Sequence, residues 1–147
     1  MTTMTAQSTQ VYQVFIKASP EEIWEAITTP AFTHKYFFGS HITVTPERFT
    51  GLDGEGNDLV LGAVSEYEPP HRLVHEWRSL YDPEAASEAA SRVSWEIEDK
   101  DGFSLVTVTH DRLEDSPKTA ENVAGGWMYI LSGLKTLLET GEPLAQG

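Results

Sequence analysis

The last third of the chain has a hydrophobic pattern with the period of an α-helix. Apolar residues recur there at spacings of three and four and so share one helical face: Val123, Trp127, Ile130, Leu131, Leu134, Leu137 and Leu138. Ser116 suits the N-cap, Pro117 the first turn and Gly141 the position after the last turn. The pattern predicts one long amphipathic helix between Ser116 and Gly141.

Two short helices are predicted directly after a first strand. Residues 11–17 are predicted to form a strand in which Tyr12, Val14 and Ile16 share one face. Ser19, Pro20 and Glu22 then form a helix start with a capping box, and Thr29-Pro30 repeats the start signal. The inward faces of these helices are predicted to carry Ile23, Trp24, Ile27, Phe32, Tyr36 and Phe37.

The middle of the chain has the two-residue period of β-strands. A short strand at 42–44, a glycine-rich hairpin tip within 49–57 and longer strands at 59–68, 72–80, 92–98 and 103–112 are predicted. Val93, Trp95 and Ile97 are expected to face inward. The last strand is apolar on both faces, which leaves its inward face open. Residues 81–91 are acidic and rich in small side chains, which indicates a mobile loop or one helical turn.

Strands grouped between helices favour an α+β fold over α/β. The chain has 147 residues, a length that suits one domain with one core. No internal repeat or linker interrupts it, so we place a single domain at residues 10–141. Residues 1–9 and 142–147 are expected to be flexible tails.

Composition narrows the classes of partner. The net charge is −13 and the ten Lys and Arg residues are scattered, so nucleic acid and anionic membrane surfaces are not expected partners. The chain has no Cys, which excludes a disulfide framework, a thiol nucleophile and a thiolate metal site. It has no apolar run of about 18 residues and no signal-peptide pattern, so we expect a cytoplasmic protein.

The order of these elements resembles the START-like (SRPBCC) superfamily, and within it the domain shared with the activator of heat-shock-protein-90 ATPase. The segments that carry the resemblance are 18–24 (ASPEEIW), 29–37, 66–74 with Trp77, 108–110, and Gly126-Trp127 with 131–139. Together they cover nearly the whole chain. The resemblance implies a helix-grip (Bet v-type) fold, in which a curved antiparallel sheet wraps around a long C-terminal helix. In this family the space between sheet and helix often holds an apolar ligand.

Given that fold, aromatic and apolar side chains are the candidates for lining a ligand cavity. Aromatic residues suit a flat or greasy ligand, although each also suits a plain packed core. The candidate ligand-binding residues are Trp24, Tyr36, Phe37, Tyr67, His75, Trp77, Trp95, Trp127 and Leu131.

Histidine supplies the candidate polar chemistry. His75 shares a strand face with Leu73 and Trp77, so an inward imidazole could bond a ligand or move a proton. The alternative is a core histidine bonded to backbone or to a carboxylate. His110 is a weaker candidate, because it and Asp111 lie on opposite faces of one strand and only one can point inward.

No metal or cofactor is expected. The five histidines lack ligand spacing, and the loop that begins at Asp53 has Val64 where a calcium loop needs its twelfth-position Glu. A Gly-x-Ser-x-Gly elbow, a phosphate loop and a dinucleotide fingerprint are all missing. Gly125 and Gly126 inside the long helix indicate a kink, a close approach to the sheet, or a hinge at the mouth of the cavity.

Three functions follow from this interpretation. The first is binding of a small hydrophobic or aromatic molecule, lipid-like or polyketide-like, between the sheet and the C-terminal helix. The second is a cyclase or hydrolase that uses the same cavity. The third is a stress-response co-chaperone that stimulates a heat-shock ATPase. We favour the first, and we expect that a free edge strand could support a homodimer.

Overall fold

The structure, a computed structural model, describes residues 8–145. Residues 1–7 and 146–147 lie outside that range, so the flexibility expected of the two tails stays a prediction. Along the chain the elements are β1 (Gln10–Ile16), α1 (Pro20–Thr28), α2 (Pro30–Thr33), β2 (His41–Val44), β3 (Arg48–Leu52), β4 (Asp58–Glu68), β5 (Arg72–Ser79), α3 (Pro83–Ala86), β6 (Ser91–Asp99), β7 (Ser104–Asp111), α4 (Pro117–Val123) and α5 (Gly126–Thr140).

The seven strands form one curved antiparallel sheet in the order β1-β7-β6-β5-β4-β3-β2. The inner face of the sheet packs against α1 and α5, and the core lies between these two layers. This is the helix-grip fold, so the predicted fold class is confirmed. β1 and β2 are the edge strands of this sheet. β1 pairs with β7, so the first strand of the chain is hydrogen-bonded to the last.

The register of β6 on β7 settles the face that the sequence left open. Val93, Trp95 and Ile97 are buried as predicted. Trp95 pairs with Val108, and Val93 pairs with His110. Directly opposed residues in an antiparallel pair share a face, so Val106, Val108 and His110 also point into the core.

The first helix begins as predicted. The Glu22 amide donates to Ser19 Oγ at 3.2 Å and the Ser19 amide donates to Glu22 Oε1 at 3.0 Å, which completes the capping box. Ile23 and Ile27 are buried beneath the sheet, while Trp24 is half-buried. Residues 83–86 of the acidic segment form a single helical turn.

The prediction of one long C-terminal helix is wrong, because it divides into α4 and α5 at Ala124-Gly125. Glycine is less favourable than alanine in a helix interior by about 1 kcal/mol, which weakens this point. Side chains of β1 replace the helical donors there. Gln10 Nε2 donates to the Ala120 carbonyl at 3.1 Å and the Tyr12 hydroxyl donates to the Ala124 carbonyl at 2.7 Å. The break is therefore stabilised by the tertiary structure.

The start of α4 and the end of α5 are capped in different ways. Ser116 is the N-cap residue of α4, as predicted, but its hydroxyl donates to the Ala89 carbonyl at 2.6 Å and does not accept from an amide of the helix. The free amides of Lys118 and Thr119 donate to the carboxylate of Glu88, each at 2.8 Å. At the other end Gly141 is left-handed with φ of 81°, and its amide donates to the Leu137 carbonyl, as predicted for a C-terminal glycine.

Candidate functional site

A cavity of about 360 Å³ opens between the sheet, the turn after α2 and the junction of α4 with α5. Its lining is mostly apolar. The lining residues are Phe37, Phe38, Ser40, Leu59, Val60, Trp77, Tyr81, Asn122, Val123, Gly126, Trp127 and Ile130. They come from the turn after α2, β4, β5, the segment before α3 and the α4–α5 region, so the cavity depends on how these elements meet.

Three aromatic rings form the inner wall of the cavity. Phe37 meets Trp127 edge to face at a centroid distance of 5.9 Å, and Trp77 lies 5.6 Å from Trp127. The indole N–H of Trp77 donates to Ser79 Oγ at 2.9 Å and that of Trp127 donates to His110 Nδ1 at 3.0 Å. With both N–H groups bonded inside the protein, the rings are fixed in orientation and present carbon surface to the cavity.

The polar groups at the cavity are few and uncharged. Asn122 Nδ2 donates to Asp82 Oδ2 at 2.9 Å. Among residues 8–145, the side-chain oxygens of Asn122, Ser40 and Tyr81 have no hydrogen-bond partner, and no lining residue carries a charge. The arrangement can solvate a ligand that is neutral and has one or two polar atoms.

Phe38 lies at the mouth of the cavity in an unfavourable conformation. Its φ is +52° and its side chain is 61% exposed. A left-handed backbone costs a bulky residue about 1–2 kcal/mol. The ring stacks on Tyr129 of α5 at 4.9 Å, a contact worth about 0.5–1.5 kcal/mol. It also covers Gly126, where an added Cβ would lie 3.6 Å from the ring.

The segment that carries α3 closes another side of the mouth. Tyr81 begins this segment and lines the cavity. Asp82 binds Asn122, and Glu88 accepts from two amides of α4 and from the Thr119 hydroxyl at 2.8 Å. Partial burial opposes ionisation of Glu88, but these hydrogen bonds outweigh it and lower the pKa of the carboxyl. Ionised Glu88 and Asp82 therefore hold α4 in place.

His75 does not line the cavity. Its ring is fully buried and stacks on Phe49 at 3.8 Å. The indole N–H of Trp95 donates to His75 Nε2 at 3.3 Å, so Nδ1 carries the proton and donates to the Glu76 carbonyl at 2.9 Å. Desolvation by burial lowers the pKa of His75 to about 4. The imidazole is neutral at pH 7, with both nitrogens bonded to protein.

His110 is bonded in the same way. Nδ1 accepts from Trp127, so Nε2 carries the proton and donates to Ser91 Oγ at 2.7 Å. Burial, and then the nearby His75, lower the pKa of His110 to about 3. A serine next to a histidine suggests a nucleophile and its base, but a general base needs an unprotonated nitrogen facing the hydroxyl. In this tautomer His110 orients Ser91 and Trp127.

The nine candidate residues therefore divide into three groups. Phe37, Trp77 and Trp127 line the cavity, and their role in ligand binding stays a prediction. Tyr36, His75, Trp95 and Leu131 are buried in the core away from it, and the Tyr36 hydroxyl donates to the Ala26 carbonyl at 2.7 Å. Desolvation by burial raises the pKa of Tyr36. Trp24 and Tyr67 form a separate half-buried pair with ring centroids 5.4 Å apart.

The lining residues that the sequence analysis missed have weak signals. Ser40, Leu59 and Tyr81 lie at the ends of strands or in loops, where periodicity carries no information. The sequence indicates a possible hinge at Gly126 and predicts Val123 and Ile130 on the buried face of a helix. The aromatic pair Phe37-Phe38 was the one local indication that Phe38 reaches the site.

Within residues 8–145, histidine and carboxylate side chains nowhere form a group of three or more suited to a metal ion. None of the helices in the described part of the chain has the length and apolar character needed to cross a membrane.

Comparison with solved structures supports the fold. DynU16, a protein of the dynemicin biosynthetic locus, matches with a TM-score of 0.73 and 22% identity over 93% of this chain and 49% of its own. The chain thus spans about half of DynU16. The Aha1 dimer from Colwellia psychrerythraea matches with a TM-score of 0.70 and 20% identity over 92% of this chain and 98% of its own.

An Hsp90 activator from Plasmodium falciparum matches with a TM-score of 0.71 and 20% identity, over 93% of this chain and 99% of its own. No curated protein sequence matches the chain. The profile of the family described as "Activator of Hsp90 ATPase homolog 1-like protein" matches residues 17–139. This range includes every strand except β1 and all of α5 except its last residue, so the chain belongs to the Activator of Hsp90 ATPase homolog 1-like family.

Proposed function

We propose that the protein binds a small, uncharged hydrophobic or aromatic molecule in the cavity between the sheet and the C-terminal helices. The observation that carries this proposal is an apolar cavity of about 360 Å³ with no charged residue in its lining. Ligand pockets typically measure about 300–1,000 Å³, so this one suits a small ligand. A short lipid-like chain or a compact polyketide-like ring system has the right size and chemistry.

The inner wall supports binding by shape and area. Phe37, Trp77 and Trp127 are held by each other and by the hydrogen bonds of the two indoles, so they lose little freedom when a ligand arrives. Preformed apolar walls reduce the entropic cost of binding. Flat rings can stack or lie edge-on against these side chains, which favours an aromatic ligand.

The unbonded polar atoms support orientation of the ligand. Ser40 can donate or accept, and the Asn122 side-chain oxygen can accept. The two residues come from opposite sides of the cavity, the turn after α2 and the end of α4. A ligand with a hydroxyl or carbonyl group would satisfy them, and a charged ligand would find no counter-ion in the lining.

Native mass spectrometry of freshly purified protein, followed by denaturing extraction, is the direct test. A reproducible extra mass of an apolar molecule supports the proposal. In parallel, titration with the fluorescent probe N-phenylnaphthylamine measures uptake by the empty protein. The variant Val123→Phe fills part of the cavity and should abolish probe binding, while the matched variant Val11→Phe, at a residue exposed on β1, should retain it. Equal binding by both variants would contradict the proposal.

A second function is favoured by family membership. One structural relative is an Hsp90 activator from Plasmodium falciparum, so stimulation of a heat-shock ATPase is the alternative. The test is the ATPase rate of a purified Hsp90 with and without this protein. An increase that survives Val123→Phe would place that activity on the surface of the protein, independent of the cavity.

A homodimer is also proposed, since a solved relative is described as a dimer. The outer edge of β1 carries two exposed apolar side chains, Val11 and Phe15, next to unpaired backbone. Such an edge can pair with a second copy. Light scattering after size exclusion, compared between the protein and Phe15→Lys, tests this edge.

A further inference from the structure

We infer that Phe38 is a gate that controls access to the cavity, narrowing its mouth by stacking on Tyr129. The inference rests on the proposed function for its purpose, because a gate serves a ligand. Its physical basis is separate: a strained, exposed aromatic residue that bridges two elements at an opening.

The Phe38 ring lies between two elements of the fold. Phe38 belongs to the turn after α2, whereas Tyr129 and Gly126 belong to α5. The Phe38 ring stacks on Tyr129, lies 3.6 Å from where a Cβ atom of residue 126 would be, and also lines the cavity. It therefore spans the gap between the two elements that border the mouth, and Gly126 leaves room for it because it has no side chain.

Backbone strain and ring stacking act in opposite directions on Phe38. Phe38 is held in the left-handed region, which an aromatic residue seldom occupies without a compensating interaction. Its ring is mostly exposed, so core burial does not supply that compensation. The stacking contact with Tyr129 is comparable in size to the backbone strain that it opposes. The two contributions nearly cancel, so the closed arrangement is favoured only modestly and an open fraction of about one in ten remains, as a gate requires.

The backbone next to Phe38 has free space around it. Gly39, next to Phe38, is also left-handed, and an added Cβ there would meet no atom within 4 Å. Gly125, at the junction of α4 and α5, is equally open. The free space beside Gly39 lets the turn adjust without displacing packed side chains, whereas hydrogen bonds from Gln10 and Tyr12 hold the junction in place. The rest of the wall, formed by Trp77 and Trp127, is fixed by hydrogen bonds.

The first experiment measures access without any ligand. The chain has no cysteine, so Ile130→Cys places a single thiol in the cavity wall and Leu131→Cys places one in the core outside it. Methyl methanethiosulfonate, a small uncharged reagent, labels whichever thiol it can reach. Adding Phe38→Ala should speed labelling at position 130 by about tenfold, by raising the open fraction, and leave labelling at position 131 unchanged.

A matched control uses the other exposed aromatic pair. Phe103 lies edge to face with Phe15 at 5.7 Å, away from the cavity, so Phe103→Ala should leave labelling at position 130 unchanged. Unchanged labelling with Phe38→Ala would overturn the gate. Faster labelling at both thiols would show general opening of the fold and would also overturn it.

The second experiment measures binding kinetics with N-phenylnaphthylamine by stopped-flow fluorescence. Phe38→Ala should raise the association and dissociation rates together by about tenfold, with a much smaller change in Kd, because a gate alters the path more than the bound state. Rates that stay equal to those of the parent protein would overturn the gate. If no variant binds the probe while the labelling result holds, the gate stands and the proposed function fails.

Discussion

Trp77 and His75 lie two residues apart on the same face of β5, yet one borders an open cavity and the other lies in a sealed core. Around His75 and His110 every side-chain nitrogen has a partner, supplied by an indole, a hydroxyl or a backbone carbonyl. Around the cavity, the side-chain oxygens of Ser40 and Asn122 have none within residues 8–145. Complete hydrogen bonding therefore marks the sealed part of the interior, and the free polar atoms lie in the cavity where we propose that a ligand binds.

Trp127 belongs both to the sealed core and to the cavity wall. The indole of Trp127 touches both regions, since its N–H binds His110 while its ring faces the cavity. The sealed core thereby orients the cavity wall. Substitutions around His75 and His110 should mainly lower the free energy of unfolding. Substitutions in the cavity wall should mainly alter the proposed ligand binding.

Acidification should give the largest effect on the sealed core. The folded pKa values of His75 and His110, about 4 and about 3, lie below the ordinary value near 6.5, so the unfolded chain takes up protons first. Stability is full above about pH 7.5 and falls as the pH drops through 6.5 toward 4, by about 2 kcal/mol for each histidine at pH 5. Urea unfolding at pH 7.5 and pH 5 measures this loss.

The variants His75→Gln and His110→Gln provide the comparison for that measurement. Each is expected to lose stability at pH 7.5, because glutamine fits the hydrogen bonds less well. Each should also show a smaller loss on acidification than the parent protein. The same loss in all three proteins would show that other groups cause it.

Gly62→Ala should give the next largest effect. In the structure the Glu76 carbonyl approaches Gly62 so closely that a Cβ atom would overlap the oxygen. That carbonyl is also the acceptor for His75 Nδ1, so moving it disturbs the sealed core. We expect a loss of about 3 kcal/mol in the free energy of unfolding. Gly54→Ala, where an added Cβ meets no atom within 4 Å, should change stability little, and equal losses would refute the explanation.

Trp127→Phe tests the link between the two regions. The change keeps an aromatic ring at the cavity and leaves His110 Nδ1 as a buried acceptor without a donor. The expected loss is about 2 kcal/mol. Trp24→Phe, at a half-buried tryptophan packed on Tyr67 away from the cavity, should cost less. Chemical denaturation of both variants gives the comparison, and an equal cost would mean that the hydrogen bond contributes little.

Glu88→Gln should have the smallest effect, at the border of the cavity. It weakens the acceptor for the Lys118 and Thr119 amides and should cost about 1 kcal/mol. Because the folded pKa of Glu88 is lowered, its contribution is present above pH 4.5 and disappears as the pH falls further. Hydrogen exchange at the start of α4 should increase, whereas Glu84→Gln should leave it unchanged. Exchange that is unaffected by Glu88→Gln would remove this capping role.

Much of the fold was predictable because local patterns report local structure. The Ser19–Glu22 capping box and the inward alternation of Val93, Trp95 and Ile97 were both predicted correctly. The long C-terminal helix was not, since the donors that stabilise its break come from Gln10 and Tyr12, more than a hundred residues away. For the site, the sequence identified the three wall aromatics but could not separate them from buried aromatics such as Trp95.

By itself the sequence determined the order of the elements, the buried face of most of them, the absence of cysteine and the acidic charge. The tertiary structure decided that His110 points inward, that the last helix divides and that the cavity lies beside Phe38, Asn122 and Tyr81. The physical reason is that periodicity shows which side chains leave water. Whether the space between those side chains is filled depends on how the sheet, the turn after α2 and the junction of α4 with α5 pack together.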